Sequence, residues 1–424
     1  MKELFPARDS LVNKISYYHL LLFLACLPFD RFYSHIILIS FIIHTLIHFN
    51  RQQVKPVFTL SVLVLQSVFF VTVFSTFYAV NKSAGYSEWG KQITVLLFPL
   101  VFCLSSFDLK KYRPSLLLGF SLVCAATIAY LYFDAIHIIR HYKLPFSTIF
   151  STAFVNHNFS EPINIHATFL SMQVVIALVY LLSVLIKEKS LNYKVLYITC
   201  IFFLFAGVIQ LCSKSVFICL FLAINLVIPF FLLDGHKRRN FMIVTASVSI
   251  ILIAGIFKSG TFRERYISDL KSDLTESTIG ESSESRLARW QVTGELISIH
   301  PITGYGAGSE VGLLQKAFYE RKYYSSFLHQ LNAHNQYLSF LLKSGIIGLL
   351  IYIATLIAGF RMAIKRKDPL FFTFMLLIAI VSASENILDV DKGIIFYAFF
   401  FSFFTFSSQM RGRGQLTIKK LYMK

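Results

Sequence analysis

One short segment of the chain concentrates residue types that bind anions. In "ESRLARWQ" at 284–291, Arg286 and Arg289 stand three residues apart and Trp290 follows them. On a helix this spacing puts both guanidinium groups on one face. Guanidinium groups offer planar sets of N–H donors that match phosphate oxygens, so the pair predicts a phosphate clamp. The alternative is an amphipathic helix lying on a membrane, with its arginines reaching lipid phosphates.

Two further residues stand where they could act with this clamp. Lys214, in "QLCSKSVF", lies between two apolar runs, where a lysine is either functional or extends to lipid headgroups. His334, in "NAHNQYLSF", precedes another apolar run, with Asn332 as its predicted helix cap and Asn335 beside it. The positive end of a helix favours a neutral imidazole and attracts an anion, which suits a general base. A structural histidine is the alternative, and His329 lies nearby.

The remaining polar motifs predict neither a cofactor nor a metal ion. "GYGAGS" at 304–309 follows a proline rather than a strand, so its glycines predict a tight turn instead of a nucleotide loop. No spacing of Asp, Glu, His or Cys is typical of a metal site. Glu385, Asp389 and Asp391 form an acidic connector, which we interpret as a solvated turn rather than a cation site.

The composition of the chain is typical of a membrane protein, so we expect membrane helices to position these residues. Of 424 residues, 56% are hydrophobic, 45 are phenylalanine and only 15% are charged, against about 25% charged in soluble domains. Apolar runs of about 18 residues recur, and each can cross the hydrocarbon core as a helix. Because lipid cannot satisfy backbone polar groups, we expect an all-α polytopic membrane protein.

We predict about twelve transmembrane helices and one large external, periplasmic helical loop. The spans fall near 15–29, 33–49, 56–80, 91–107, 113–137, 164–186, 193–212, 215–234, 240–257, 336–360, 369–384 and 393–409. Basic connectors such as "HKRR" at 236–239 and "KRK" at 365–367 place both termini in the cytoplasm by the positive-inside rule. The net charge of +18 therefore reflects topology and anionic headgroups, and no nucleic-acid partner is needed.

The predicted organisation has three parts. Residues 1–257 contain spans one to nine, with a small external insertion at about 138–163. Residues 258–335 form the large periplasmic loop with the candidate active site, beginning with a Ser/Glu-rich linker at 268–285 that we expect to be mobile. Within this loop the apolar pattern predicts helices at 284–299 and 309–324. Residues 336–424 contain the last three spans and a basic cytoplasmic tail.

Three motifs in this order resemble the O-antigen ligase and O-antigen polymerase superfamily of bacterial envelope glycan assembly. They are "SRLARW" at 285–290, "HPITGYGAGS" at 300–309 and "HNQYLSFLLKSGIIGLL" at 334–350. "INIHATFLS" at 163–171, which includes His166, is similar to the stretch that follows the smaller insertion in relatives. Lys214 stands in Ser-Lys-Ser, where the family usually has a second arginine; lysine keeps the charge but loses the bidentate geometry.

The resemblance implies a metal-independent glycosyltransferase in the bacterial inner membrane, with its active site facing the periplasm. The donor would be a glycan on undecaprenyl pyrophosphate, and the acceptor would be lipid A–core or another lipid-linked glycan. Arg286 and His334 would be catalytic, and the substrate-binding set would be Lys214, Arg289, Trp290, Asn335 and His166. A ligase and a polymerase differ only in the acceptor. A lipid-linked glycan transporter or flippase is the alternative from another class, and it predicts ionisable residues deep in several spans.

Overall fold

The described part of the protein is helical throughout. A computed structural model describes residues 9–29, 31–51, 54–55, 57–275 and 284–407, and these ranges contain helices and turns but no strand. The fourteen longer helices are α1 Leu11–Cys26, α2 Arg31–Ile47, α3 Leu60–Thr76, α4 Lys82–Leu104, α5 Leu109–His141, α6 Ala167–Leu185, α7 Leu191–Leu211, α8 Lys214–Leu232, α9 Gly235–Lys258, α10 Arg286–Ile299, α11 Glu310–Glu320, α12 Gln336–Arg366, α13 Pro369–Val381 and α14 Asp391–Ser407.

A helix lies at each of the twelve apolar segments that the sequence predicted. Six of the described helices are long and apolar enough to cross a membrane, namely α5 to α8, Gly235–Gly255 of α9, and α12. Four shorter apolar helices lie at Leu11–Cys26, Phe32–Ile47, Leu60–Thr76 and Pro369–Val381. The all-α, multi-helix prediction is confirmed, whereas the count of twelve spans stays a prediction. The basic tail at 410–424 lies outside the described residues.

The core of the bundle is aliphatic and is rich in phenylalanine around one helix. Helix α14, "DKGIIFYAFFFSFFTFS", is central, and its Phe399 and Phe400 meet Phe98 of α4 and Phe120 of α5 at ring-centroid distances of 5.4 and 5.3 Å. The first contact is edge-on and the second is tilted, and aromatic pairs at such distances stabilise a core beyond the area they bury. By contrast, α9 exposes most of its apolar side chains, as a helix facing lipid does.

The glycine-rich segment at 304–309 is locked into a break in α12. Gly345 has a φ of +62°, and a Cβ there would lie 2.1 Å from the carbonyl oxygen of Ile302. The backbone N–H groups of Tyr305 and Gly306 donate to the carbonyls of Leu342 and Lys343, at 2.9 and 2.8 Å. The glycines therefore form a tight turn, as predicted, and this turn fixes the large loop to the first part of α12.

The smaller insertion consists of short helical turns, and the larger one combines such turns with α10 and α11. The smaller one contains Phe146–Phe150, Thr152–Phe154, His157–Ser160 and Glu161–Ile163. In the larger one, Gly260–Arg263, the π-helical Glu264–Ser268 and Asp269–Asp273 precede α10, and Tyr324–Leu328 precedes α12. The predicted mobile linker at 268–285 is wrong for 269–273, because these residues are helical and Asp273 is held by ion pairs. Residues 276–283 of that linker lie outside the described part of the chain.

Candidate active site

Three cations gather around a single carboxylate near the beginnings of α8 and α10. The Asp273 Oδ2 atom lies 3.3 Å from Lys214 Nζ and 3.6 Å from Arg286 Nε. Arg286 also donates from Nη1 to the carbonyl of Ser384 at 2.7 Å. Arg289, one turn further along α10, interacts electrostatically with both Arg286 and Asp273. We call Lys214, Arg286, Arg289 and Asp273 the cationic cluster. The predicted phosphate clamp and the predicted boundary lysine thus meet in one place.

Arg289 is a buried guanidinium group with unused donors. Its side chain is only 6% exposed, and its Nε and Nη1 have no hydrogen-bond partner among the described residues. Burial, followed by the positive charge of Arg286, lowers the pKa of Arg289 to about 10. Unsatisfied buried donors are costly in a folded protein, and they are compensated when an anion occupies the space beside them. These two nitrogens of Arg289 are therefore donors that an anionic ligand could accept from.

His334 is oriented by a carboxylate on the connector between α13 and α14. Its Nδ1 lies 3.2 Å from Glu385 Oε2. Burial alone would raise the pKa of Glu385, but the hydrogen bond to His334 and the charges of His334, His166 and Arg286 lower it overall, so the carboxylate is ionised. An ionised carboxylate can only accept, so we assign the ring proton to Nδ1. The lone pair of Nε2, which has no partner within the described ranges, is left to accept a proton.

The connector between α13 and α14 supplies partners to most of the site, and sequence reasoning missed it. Our prediction of a solvated turn is wrong, because Asn386, Ile387 and Leu388 are buried. Besides the contacts of Ser384 and Glu385, Asn386 Oδ1 accepts the backbone N–H that follows His334, at 2.7 Å. No local signal in the sequence could place this turn beside a loop about 50 residues away, because the contact arises from the packing of α12 against α13.

Two predicted substrate-binding residues have structural contacts as well. Trp290 Nε1 donates to the carbonyl of Ala333 at 2.8 Å, which ties α10 to the segment before His334. Asn335 is the N-cap of α12, since its side chain accepts from the N–H groups of residues 337 and 338. The prediction of Asn332 as the cap is therefore wrong. Asn332 instead accepts the backbone N–H of His334, at 2.9 Å, and His334 adopts a left-handed φ of +46°.

His166 lies at the N-cap of α6, next to a second histidine. The ring centroids of His157 and His166 are 4.1 Å apart, and the Nδ1 of His166 is buried without a partner in the described structure. Burial lowers the pKa of His166 to about 4, and the Glu385 charge opposes this shift. The charges of Glu385, His334 and Arg286 all act on His166, so its ring lies near the pair formed by His334 and Glu385. At neutral pH it is an uncharged hydrogen-bonding group.

A second charged cluster lies where the glycine turn meets α12. Lys343 Nζ lies 2.8 Å from Asp389, 3.1 Å from Glu88 and 3.5 Å from Glu310. Glu310 also accepts from the Ala333 N–H and the Asn386 amide, at 3.2 and 3.0 Å. We call Lys343, Glu88, Glu310 and Asp389 the Lys343 cluster. It joins α4, the large loop, α12 and the connector that carries Glu385.

The arrangement can bind an anion and remove a proton beside it. Within the described residues, no group of three or more His, Cys, Asp or Glu side chains could hold a metal ion. The cationic cluster, Arg286 in particular, shares the 384–385 turn with the His334–Glu385 pair, so charge stabilisation and proton transfer can occur in one site. This is the chemistry needed to displace a phosphorylated leaving group with a hydroxyl nucleophile.

Comparison with known proteins gives one family. A search of curated proteins finds no match to the chain. The model of the family described as O-antigen ligase matches residues 166–353, a range that contains all seven predicted site residues and ends before Glu385. The match over residues 166–353 supports the O-antigen ligase-like superfamily that the motifs predicted, and together with the six long apolar helices it indicates a multi-pass membrane protein.

Proposed function

We propose that the protein transfers a glycan from undecaprenyl pyrophosphate to the sugar hydroxyl of lipid A–core. The observation that carries this proposal is the pairing of His334 with Glu385, on the same turn whose Ser384 carbonyl holds Arg286. The family match supports a glycosyltransferase of the ligase or polymerase type in general. The identity of the donor, the identity of the acceptor and the roles of the residues are our proposal beyond that family match.

The donor pyrophosphate would bind the cationic cluster. Lys214, Arg286 and Arg289 supply three positive charges against one carboxylate, and Arg289 has free donors. Asp273 stands between two of the cations in the position of a phosphate oxygen. Fixed cations in a partly water-excluded site stabilise charge that develops on a leaving group. A pyrophosphate-linked donor supplies the driving force, so no nucleotide is needed.

Proton removal would fall to His334. The acceptor oxygen attacks the anomeric carbon, the bond from that carbon to the phosphate oxygen breaks, and undecaprenyl pyrophosphate leaves. The hydroxyl proton moves to Nε2 of His334, while Glu385 holds Nδ1 and stabilises the imidazolium that forms. A single displacement inverts the anomeric configuration. We propose that the reaction requires no metal ion, since the cations of the cluster do the work of a Lewis acid.

The proposed topology places this site at the periplasmic face of the bacterial inner membrane. Twelve spans with both termini in the cytoplasm put residues 258–335 outside, together with the insertion at 138–163 and the connector at 382–390. The ends of α8, α10, α12 and α13 that form the site then face one side. An accessibility map with single cysteines at 270 and 236 tests this topology, because only the first should react with an impermeant thiol reagent in intact cells.

The direct test of function is glycan transfer by purified protein in lipid nanodiscs. The reaction contains an undecaprenyl-pyrophosphate-linked glycan, lipid A–core and EDTA, without nucleotide, and acceptor mobility on a gel is the readout. We expect transfer by the wild type and a loss of about 10²- to 10⁴-fold in His334→Ala, the usual contribution of a general base. His329→Ala is the matched control, since His329 is an exposed histidine five residues away whose Nδ1 faces the carbonyl of Ser325.

Three outcomes would contradict the proposal in different ways. Transfer that His334→Ala retains would remove His334 from the mechanism. Lengthening of the lipid-linked glycan without transfer to lipid A–core would identify a polymerase. If neither product forms but the lipid-linked glycan crosses the bilayer, the protein is a transporter.

A further inference from the structure

A cavity lies between the two insertions, and neither the motifs nor the pyrophosphate site accounts for it. Its volume is about 280 Å³. One wall is the smaller insertion, with Thr152, Asn156 and Asn158, and the other is the segment before Asp273, with Thr261 and Arg265. His157 also lines it, and the ring of His157 lies 4.1 Å from that of His166. The cavity is therefore one side chain away from the candidate active site.

The lining of the cavity is polar but not cationic. Of nine lining residues, only Val155 is apolar, and the charged ones are Arg265, Glu264 and Asp269. One positive and two negative side chains do not favour a second phosphate. Amides, hydroxyls and an imidazole instead offer donors and acceptors in both directions, as the hydroxyl groups of a sugar require. The chemistry fits an uncharged polyol.

The cavity is preformed rather than a gap between loose loops. The Asn156 backbone N–H donates to Gln210 at the end of α7, at 3.0 Å, and the Gln210 side chain donates to the carbonyls of Ile149 and Phe154, at 2.7 and 2.5 Å. The two walls also share a small apolar core of Val155, Cys212 and Phe262. A pocket with rigid walls binds without a large ordering cost.

One residue that lines the cavity keeps an unused hydrogen-bond donor. Arg265 donates from Nη1 to Asp269 at 2.8 Å, but its buried Nε has no partner in the described chain. Arg265 also lies in the π-helical turn Glu264–Ser268, and such turns recur at functional sites because they redirect side chains.

We infer that this cavity is a saccharide subsite of the transferase, which holds one sugar of a substrate beside the reacting groups. The inference rests on the proposed function for its role, though not for the binding itself. Two sources of sugar meet at this site, namely the acceptor and the glycan of the donor. Their hydroxyl chemistry is shared, so the experiment separates them.

The test measures binding to the full-length protein in nanodiscs by titration calorimetry. The probes are a lipid-free core oligosaccharide for the acceptor, a soluble O-antigen oligosaccharide without phosphate for the donor glycan, and inorganic pyrophosphate. Arg265→Gln is expected to weaken one oligosaccharide about tenfold, and Thr261→Val about threefold, as loss of one or two hydrogen bonds predicts. Pyrophosphate binding stays unchanged. Arg263→Gln, an exposed neighbour outside the cavity, is the matched control.

The outcomes separate this inference from the proposed function. Weaker binding of the core oligosaccharide alone assigns the subsite to the acceptor, and weaker binding of the O-antigen fragment alone assigns it to the donor. If the wild type transfers glycan while both variants bind and turn over like Arg263→Gln, the subsite is wrong and the function stands. If the variants weaken saccharide binding but the wild type transfers nothing, the subsite stands and the function falls. Thr261→Val preserves side-chain shape, so unaltered thermal unfolding in that variant excludes misfolding as the cause.

Discussion

The cationic cluster and the Lys343 cluster contain four charged residues each, but their compositions are opposite. The first sets Lys214, Arg286 and Arg289 against one carboxylate, and the second sets one lysine against three carboxylates. In the first, Arg289 keeps two unpaired donors, whereas no side-chain atom of the second is buried without a partner in the described structure. An excess of positive charge, with unpaired donors on Arg289, is typical of a site that binds anions. A lysine surrounded by acceptors indicates a structural joint.

Replacing Lys343 should break the structural joint and have the largest effect. Lys343→Met leaves three carboxylates, in a cluster where Glu310 is only 2% exposed, without their shared cation. Removing one partner of a buried ion pair costs about 3 to 5 kcal/mol. We expect a lower yield of folded protein and an earlier thermal transition in detergent. Lys316→Met, on the exposed face of α11, should melt like the wild type. Equal melting of the two variants would mean that the Lys343 cluster is not a stabilising joint.

Replacing Arg286 should have the opposite pattern, with a large loss of glycan transfer and little loss of stability. Arg286→Ala removes a partly exposed cation, so the melting temperature should change little while glycan transfer falls by about 10²- to 10³-fold, as when one charge-stabilising donor is lost. Inorganic pyrophosphate should also inhibit the variant less. Arg263→Ala provides the control for charge alone. A variant that loses stability together with activity would place Arg286 with the structural residues and weaken the contrast between the clusters.

Replacing Glu385 tests whether the carboxylate directs the histidine. Glu385→Gln is nearly the same size, but an amide can donate to Nδ1 and stabilise the opposite tautomer, which puts the ring proton on Nε2. We expect transfer to fall about 10²-fold or more, with donor and acceptor KM little changed. Glu385→Asp should recover part of the rate. If the Gln variant turns over normally, the hydrogen bond between His334 and Glu385 has no role in proton removal.

The sequence predicts the parts of this molecule that local patterns specify. A helix lies at each of the twelve apolar runs of the sequence, and Arg286 and Arg289 were recognised because their spacing is a helix property. Glu385 and Asp273 were missed for the same physical reason. Each is an ordinary acidic residue in a polar stretch, and its role exists only because packing brings it to His334 or Lys214. Trp290 shows the converse, because a residue predicted to bind substrate also donates a hydrogen bond to the backbone carbonyl of Ala333.

Replacing Asp273 should have the smallest effect of these changes, but it is the one expected to strengthen pyrophosphate binding. If its carboxylate occupies the place of a donor phosphate, Asp273→Asn frees Lys214 and Arg286, so pyrophosphate should bind about three- to tenfold more tightly, the range expected for a partly exposed ion pair. Donor KM should fall in parallel, opposite to the Arg286→Ala result. Asp234→Asn, which removes a distant exposed carboxylate, should change neither quantity. Weaker pyrophosphate binding in Asp273→Asn would mean that the carboxylate orients the cations for the donor instead of competing with it. All four residues of the cationic cluster would then form the donor site, with Asp273 fixing the positions of the cations that bind the pyrophosphate.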